Sequence, residues 1–364
     1  MEALKKRLIN ISVAVLVSLV MLLLCEFVIR MLYKDSMVLF PRYQTDVKYG
    51  DITIRQIRPD MTYVHSSVDG EFDFISNNRG FRNEENIDYS KGENEIRILC
   101  LGDSHTLGYE VKQSQVFTTV IEDSYNGSHD LKKITAINTG VSGTGTAEQL
   151  AFFTNEGFNY DPDFVVLGFC NNDFRNNQIC KLYKVENDSL IVDHLTYAPG
   201  TGIQNFIYQF RTVEFLGENS YLYALAFNTI WNAVKKARYA DAGEEKKDEL
   251  TEYVTESRNE FSEYDALLMT KLLEKMYDYC QEINAPLIIL DIPKTDLSSS
   301  IPEDLVDVFR ANSDTLFYAP DLNDDFSGLA KVHVKNGHRH ISEETHSLFA
   351  NKILNFIDDY NKQH

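Results

Sequence analysis

Ser104 is the residue around which covalent chemistry could be organised in this sequence. It ends the segment Gly102-Asp103-Ser104, which follows the apolar and β-branched run 96–101. A buried strand that stops at such a turn delivers a serine hydroxyl to the carboxyl edge of a sheet, where open α/β sheets bind their ligands. The same tripeptide is common in ordinary turns, where the hydroxyl only caps a helix. A catalytic interpretation therefore depends on partner groups elsewhere in the chain.

Two later loops could supply hydrogen-bond donors to the same edge. The loop 139–146 is rich in glycine, so the N–H of Gly143 can approach a ligand closely, and Asn172 carries a carboxamide just after another strand-like run. With the N–H of Ser104, these two groups would form a three-donor pocket for an oxyanion. One such donor typically stabilises a transition state by ~3–4 kcal/mol, so the pattern is suited to acyl transfer.

A serine nucleophile also needs a base, and a histidine-rich segment stands just before the last predicted helix. His340 is the favoured base. His338 is the alternative if the loop is shifted by two residues, because a base is identified by hydrogen-bond reach and not by local sequence. His333 and His346 are interpreted as surface or structural histidines.

Four blocks in this order resemble the SGNH/GDSL hydrolase family. They are the Gly-Asp-Ser turn, the segments 138–143 and 168–173, and His340-Ile341-Ser342 before a helix. The similarity runs from about residue 96 to the C-terminus, apart from an insertion. The segment Asn78-Arg79-Gly80-Phe81-Arg82 also resembles a motif upstream of the Gly-Asp-Ser strand in membrane-linked bacterial members.

The resemblance implies a role for each matching residue. Ser104 would be the nucleophile, and His340 would be the general base. The N–H groups of Ser104 and Gly143 and the carboxamide of Asn172 would hold the oxyanion.

One position departs from the family pattern. An Asp that orients the catalytic His usually stands three residues before it, and this position is Gly337 here. Loss of the orienting acid of a triad can lower turnover by up to ~10⁴. Three alternatives follow: another acid fills the role, a backbone carbonyl holds His340, or the activity is weak. The candidate acids lie upstream, at Asp321, Asp324 and Asp325.

The pattern of elements predicts an α/β domain with a central parallel sheet and helices on both faces, which is a flavodoxin-like three-layer sandwich. Strands are predicted at 96–101, 134–138, 164–169, 286–292 and 315–318, and helices at 116–125, 147–155, 264–283 and 343–360. Between them, a hairpin at 182–192, aromatic-rich helices near 206–231 and a charged stretch at 241–249 interrupt the alternation. We interpret 181–263 as an insertion into the hydrolase-like domain 96–364.

The N-terminus predicts a membrane anchor. The run from Leu8 to Cys25 has no charge, which meets the lower length limit for a membrane-spanning helix. The preceding Lys5-Lys6-Arg7 would hold the N-terminus in the cytoplasm, so the domain would face outward. A cleaved signal peptide is the competing interpretation, but no small-x-small cleavage site follows. Residues 1–34 are thus assigned to the anchor, and 35–95 to a β-rich preamble interpreted as a packing extension without chemistry.

Composition excludes several classes of function. The chain has 364 residues, is 43% hydrophobic and carries a net charge of -20, so nucleic-acid binding is not expected. No cofactor or metal is expected either, because no HExxH or carboxylate spacing accompanies the histidines. Asp103 and Asp173 are interpreted as structural acids that cap loops. The cysteines are interpreted as small buried hydrophobes, with no disulfide framework: Cys25, Cys100, Cys170, Cys180 and Cys280.

The sequence thus predicts a membrane-anchored serine esterase that hydrolyses an O-acyl ester, with acetyl favoured, on cell-envelope or exported carbohydrate. The first alternative is an O-acyltransferase that modifies a glycan with the same site. The second is a degenerate domain that binds a glycan or a protein partner, and Gly337 is the feature that supports it.

Overall fold

The computed structural model describes residues 2–34, 37, 39, 43–67, 69–128, 132–197, 206–207, 209–238, 261–302, 305, 316–335 and 340–364. Its strands are β1 (Gln44–Tyr49), β2 (Ile52–Ile57), β3 (Thr62–Ser67), β4 (Gly70–Ile75), β5 (Glu95–Gly102), β6 (Lys133–Asn138), β7 (Phe164–Phe169), β8 (Tyr183–Glu186), β9 (Ser189–Val192), β10 (Leu287–Asp291) and β11 (Phe317–Tyr318). Its helices are α1 (Glu2–Tyr33), α2 (Ser104–Leu107), α3 (Phe117–Asn126), α4 (Thr146–Asn155), α5 (Asn172–Cys180), α6 (Arg211–Asn219), α7 (Tyr221–Arg238), α8 (Glu263–Glu282), α9 (Asn323–Ser327) and α10 (Glu343–Gln363).

Five parallel strands form the central sheet, in the order β11-β10-β7-β5-β6. Counted along the chain, this is the doubly wound order 2-1-3-4-5. The order reverses between β5 and β7, where Gly102 pairs with Gly168 in register. Loops that leave these two strands therefore meet at the switch point, which is the ligand-binding crevice of such sheets.

The sheet has a hydrophobic core on each face because successive strand residues point to opposite sides. Leu99 and Leu101 of β5 face one cluster, which α4 and α8 cover. Ile98 and Cys100 face the other, which α3 and α10 cover. These two layers of helices around a parallel sheet confirm the predicted three-layer α/β sandwich.

Most predicted elements are present with small shifts of their ends. The hairpin predicted at 182–192 is the antiparallel pair β8–β9, and the predicted helices near 206–231 correspond to α6 and α7. The charged stretch 241–249 lies outside the described residues, as does residue 315 of the last predicted strand. The division of the chain into anchor, preamble and domain stays a prediction.

The segment before the sheet forms two antiparallel hairpins, β1–β2 and β3–β4. Ahead of them, α1 is the one helix among the described residues that is long and apolar enough to cross a membrane. A signal sequence has the same length and composition, so α1 alone does not distinguish an anchor from a leader.

Glu122 on α3 predicts a pH dependence of stability. Its carboxylate accepts a hydrogen bond from the N–H of Ala136 at 2.8 Å, and burial raises its pKa from 4.5 to about 7. Between pH 4.5 and about 7, the folded chain therefore holds a proton that the unfolded chain has already released. The free energy of unfolding falls as pH rises through this interval.

We expect Glu122→Gln to flatten that dependence, because the amide keeps the acceptor and does not ionise. The variant should exceed the parent in free energy of unfolding by about 3 kcal/mol at pH 8 and converge with it near pH 4. Urea unfolding across this pH range measures the difference. Glu93→Gln, at an exposed position, is the control. If the free energy of unfolding changed with pH as steeply in Glu122→Gln as in Glu93→Gln, Glu122 would not be the source of the pH dependence.

Candidate active site

Ser104 lies where the sequence predicts, at the carboxyl end of β5 and at the start of the short helix α2. Asp103 caps this helix, since its carboxylate accepts a hydrogen bond from the N–H of His105 at 2.9 Å. The turn is tight, because a Cβ on Gly102 would lie 2.0 Å from Oγ1 of Thr106. Glycine at position 102 thus lets the strand pass directly into the helix that carries Ser104.

His340 joins Ser104 to a buried acid. Its Nε2 lies 2.8 Å from Oγ of Ser104, and its Nδ1 lies 3.0 Å from Oε2 of Glu110. A proton on Nδ1, donated to the carboxylate, leaves Nε2 as the acceptor for the serine hydroxyl. The three side chains form the hydrogen-bonded order of a nucleophile, a base and an orienting acid.

Glu110 is the residue that sequence reasoning missed, and it corrects the expectation about the orienting acid. Asp325 pairs with Lys352 at 2.7 Å, and Asp321 accepts a hydrogen bond from the N–H of Asn323. Asp324 is exposed on α9. Among the described residues, Glu110 and not one of these aspartates is the acid in contact with Nδ1 of His340. The sequence offered one weak signal, an acid six residues beyond the serine in the same loop.

A buried arginine holds the segment that carries Glu110. Arg82 is 1% exposed, and its guanidinium donates hydrogen bonds to backbone carbonyls on both sides of Glu110. These acceptors are the oxygens of Leu107 at 2.9 Å, Gly108, and Val111 at 2.9 Å. A further bond goes to the side chain of Gln113 at 2.9 Å. Burial lowers the pKa of Arg82 to about 10, so the group remains a cation at neutral pH.

The backbone conformation of the segment explains why it needs the hydrogen bonds from Arg82. Gly108 and Glu110 both have positive φ, at 79° and 65°. In such a conformation the carbonyls of the segment cannot be satisfied by a continuing helix, and the guanidinium supplies donors to them. Arg82 belongs to the Asn78–Arg82 motif, whose sequence suggests a family resemblance but no contact with the candidate site.

The predicted oxyanion donors come from loops that converge on this turn. The N–H of Val141 and the hydroxyl of Thr144 both donate to the carbonyl of Gly102, at 3.1 and 3.3 Å. Nδ2 of Asn172 donates to Asp103 at 2.9 Å. One hydrogen of this amide is therefore engaged, and the second remains for an oxyanion.

The hairpins of the preamble also hold the glycine loop. Arg55 on β2 donates to the carbonyl of Gly143 at 2.5 Å and forms an ion pair with the buried Glu148. The hydroxyl of Tyr43 donates to Oγ of Ser142 at 2.7 Å. The preamble was predicted to be a packing extension without chemistry. It packs against the loops of the candidate site and so helps position them.

The neighbouring ionisable groups are held uncharged by burial. Burial lowers the pKa of His105 to about 3, and the ring accepts a hydrogen bond from the N–H of Ile341 at 3.3 Å. Burial and the nearby Asp103 raise the pKa of Asp173 well above its ordinary value. Burial likewise lowers the pKa of His346 far below its ordinary value. These groups are therefore unsuited to act as a base near neutral pH in place of His340.

Two of the three remaining histidines, His333 and His346, lie among the described residues. His346 accepts a hydrogen bond from the N–H of Phe117, and His333 lies 3.0 Å from the carbonyl of Pro293. Both have structural contacts. His338 falls in the stretch 336–339, outside the described residues.

One group of possible metal ligands is present in the described part of the chain. It consists of Asp103, His105 and Cys170, whose ligand atoms lie within 4.8 Å of one another. The acid already accepts two hydrogen bonds, His105 Nδ1 accepts one, and burial raises the pKa of the Cys170 thiol. The donor set is thus occupied within the protein and does not favour a metal.

Comparison with known proteins gives a family match. Residues 98–353 match the family model described as GDSL-like Lipase/Acylhydrolase. Similar solved structures include a two-domain esterase active on acetylated mannans, with 10% identity and a TM-score of 0.39, over 74% of this chain and 50% of that one. Another is the lipase/acylhydrolase from Enterococcus faecalis, with 15% identity and a TM-score of 0.39, over 73% and 96%. A search of curated protein sequences gave no match.

Proposed function

The chain belongs to the GDSL-like lipase/acylhydrolase family, and we propose that it is a membrane-anchored serine esterase in which Ser104 is the nucleophile. The observation that carries the proposal is the hydrogen-bonded series from Ser104 through His340 to the buried Glu110. A serine that only capped a helix would need neither an imidazole on its hydroxyl nor a carboxylate behind that imidazole.

The reaction begins when Oγ of Ser104 attacks the ester carbonyl and its proton passes to Nε2 of His340. Glu110 stabilises the imidazolium through Nδ1 and keeps the ring in the reactive orientation. The developing oxyanion is met by the N–H groups of Ser104 and Gly143 and by the second amide hydrogen of Asn172.

Collapse of the tetrahedral intermediate breaks the ester C–O bond and leaves an acyl group on Ser104. The imidazolium of His340 gives its proton to the departing alkoxide, so the alcohol leaves neutral. Water, deprotonated by the same imidazole, then attacks the acyl-enzyme and releases the carboxylic acid. A sugar hydroxyl in place of water would give acyl transfer.

The contacts of α1 support an uncleaved anchor. Glu26 lies beyond the charge-free run and accepts hydrogen bonds from Ser220 Oγ at 2.7 Å and from the N–H groups of Tyr221 at 3.1 Å and Leu222 at 3.0 Å. Arg30 donates to the carbonyl of Asn219 at 2.7 Å. A signal peptide that is removed after export has no use for polar contacts with a distant part of the mature chain.

With the domain facing outward, the proposed substrate is an O-acyl ester, with acetyl favoured, on cell-envelope or exported carbohydrate. The proposal of a degenerate binding domain is the less supported alternative. It rested on Gly337 in the sequence position of the orienting acid, whereas the 3.0 Å contact between Oε2 of Glu110 and Nδ1 of His340 supports Glu110 as that acid.

The test is intact-mass analysis of the full chain in detergent after incubation with a fluorophosphonate, which reacts with an activated serine whatever the natural ester is. We expect one adduct on the parent chain and none on Ser104→Ala or His340→Ala. Ser189→Ala, at an exposed position on β9, is the matched control and should label as the parent does. A folded parent that forms no adduct would leave the binding-domain hypothesis as the better one.

A second assay separates hydrolysis from transfer. A soluble acetyl ester is supplied with and without a glycan acceptor, and released acetate is compared with acetylated glycan. Release of acetate at the same rate in both cases supports the esterase. Transfer to glycan faster than hydrolysis would make the protein an O-acyltransferase.

A further inference from the structure

Helix α6 in the insertion exposes two large apolar side chains while two acidic ones are half-buried. Phe215 is 63% and Leu216 39% exposed, beside the exposed Arg211, Thr212 and Asn219, whereas Glu214 and Glu218 lie on the half-buried side. A surface helix in water places its apolar stripe against the core and its charges outward. The outward side of α6 is therefore suited to an apolar environment.

Three more large apolar side chains of the insertion are exposed. Ile230 on α7 is 65% exposed, and Phe206 and Phe210, just before α6, are 63% and 52% exposed. The rings of these two phenylalanines contact each other edge to face at 5.9 Å. We call the set the insertion face: Phe206, Phe210, Phe215, Leu216 and Ile230. Aromatic and aliphatic side chains grouped in this way mark an interaction surface.

The same insertion is fixed to the end of α1. Glu26 caps the start of α7 through the N–H groups of Tyr221 and Leu222. The guanidinium carbon of Arg30 lies 4.7 Å from the centre of the Tyr221 ring. The exposed apolar surface of α1 thus continues, through a polar joint beside the charge-free run, into α6 and α7.

We propose that the insertion face lies on the outer surface of the bilayer that α1 spans, with its aromatic rings at the boundary between headgroups and acyl chains. This inference rests on the proposed anchor and is independent of the esterase chemistry. The bilayer is the favoured occupant because α1 enters it at the joint itself. Phenylalanine and leucine on one side of an interfacial helix are the side chains that bury there.

The consequence concerns the direction in which the candidate active site faces. α6 packs against β3, and His65 of β3 stacks on Tyr109 with ring centres 5.1 Å apart. Tyr109 in turn contacts the ring of His340 at 4.9 Å. With the insertion face on the bilayer, the carboxyl edge of the sheet, which carries Ser104, would therefore lie on the side of the molecule nearest the bilayer.

The experiment uses the full chain in phosphatidylcholine vesicles and a fluorophore on a single cysteine. Cys25, the one exposed cysteine, is first replaced by serine, and Phe215→Cys then carries the label. Quenching is measured with lipids that bear a nitroxide near the headgroup or deep in the acyl chain. Phe158→Cys is the matched control, because Phe158 is 38% exposed in the turn that precedes β7, at the opposite edge of the sheet.

We expect headgroup-level nitroxides to quench the label at position 215 several-fold more than the label at position 158. Equal quenching at the two positions would overturn the proposal. Absence of quenching at 215 together with energy transfer between labels on separate chains would also overturn it, since a second copy would then cover the face.

A label at Leu16→Cys, inside the charge-free run, separates failure of this inference from failure of the anchor. Quenching at 16 by the deep nitroxide with none at 215 overturns the insertion face alone. Absence of quenching at both positions overturns the anchor as well. Fluorophosphonate labelling of Ser104 reports separately on the esterase proposal.

Discussion

Replacing Glu110 by glutamine is expected to slow fluorophosphonate labelling of Ser104 by about 10³–10⁴-fold while the chain stays folded. Glutamine keeps the size of the side chain and removes its charge. The imidazolium of His340 then loses the carboxylate that stabilises it, and an amide N–H turned toward Nδ1 favours the wrong tautomer. The rate constant for adduct formation, followed by intact mass, gives the effect.

Asp325→Asn is the control for Glu110→Gln. Asp325 is one of the acids that the sequence suggested for the orienting role, and it pairs with Lys352 instead. Its replacement should leave the labelling rate within a factor of about two, as expected for a surface pair. A Glu110→Gln protein that labels as fast as its parent would remove Glu110 from the site.

Replacing Arg82 by methionine is expected to affect both stability and labelling. The change leaves the carbonyls of Leu107, Gly108 and Val111 without their guanidinium donors, which should cost about 3 kcal/mol or more in free energy of unfolding. The freed segment also displaces Glu110. A shift of about 1 Å in a positioning group can slow a reaction by about 10²-fold.

A double-mutant cycle separates positioning from general destabilisation. If Arg82 acts through Glu110, then Arg82→Met should slow labelling much less in a Glu110→Gln background than in the parent. Additive effects of the two changes would show that Arg82 does not act through Glu110. Arg82→Lys, which keeps the charge with fewer donors, serves if the methionine variant does not fold.

The control for Arg82→Met comes from the same motif. Arg79 lies three positions earlier and is stacked on the exposed Tyr89, with its guanidinium carbon 4.5 Å from the ring centre. Arg79→Met removes an arginine of the same type without touching the segment 107–111. Both the free energy of unfolding and the labelling rate should stay close to those of the parent.

The sequence alone determined the sheet and the residues that follow its strands. Buried strands are short apolar runs with turn residues at their ends, so the ends of β5, β6, β7 and β10 could be located with errors of at most one residue. The groups predicted at the carboxyl ends of three of them, Ser104, Gly143 and Asn172, occur in loops that meet in space. Parallel strands guarantee this meeting, because their carboxyl ends share one edge.

Only the tertiary structure decided which acid contacts His340 and what holds that acid. No periodicity or spacing in the sequence relates Glu110 or Arg82 to residue 340. The contact between Glu110 and His340 depends on two positive φ angles, at Gly108 and Glu110, and on the packing of the preamble against this segment. The same holds for Glu26, a single acid within the apolar N-terminal segment, which caps the start of α7. Contacts between elements far apart in the chain are set by packing, which local patterns in a single sequence do not encode.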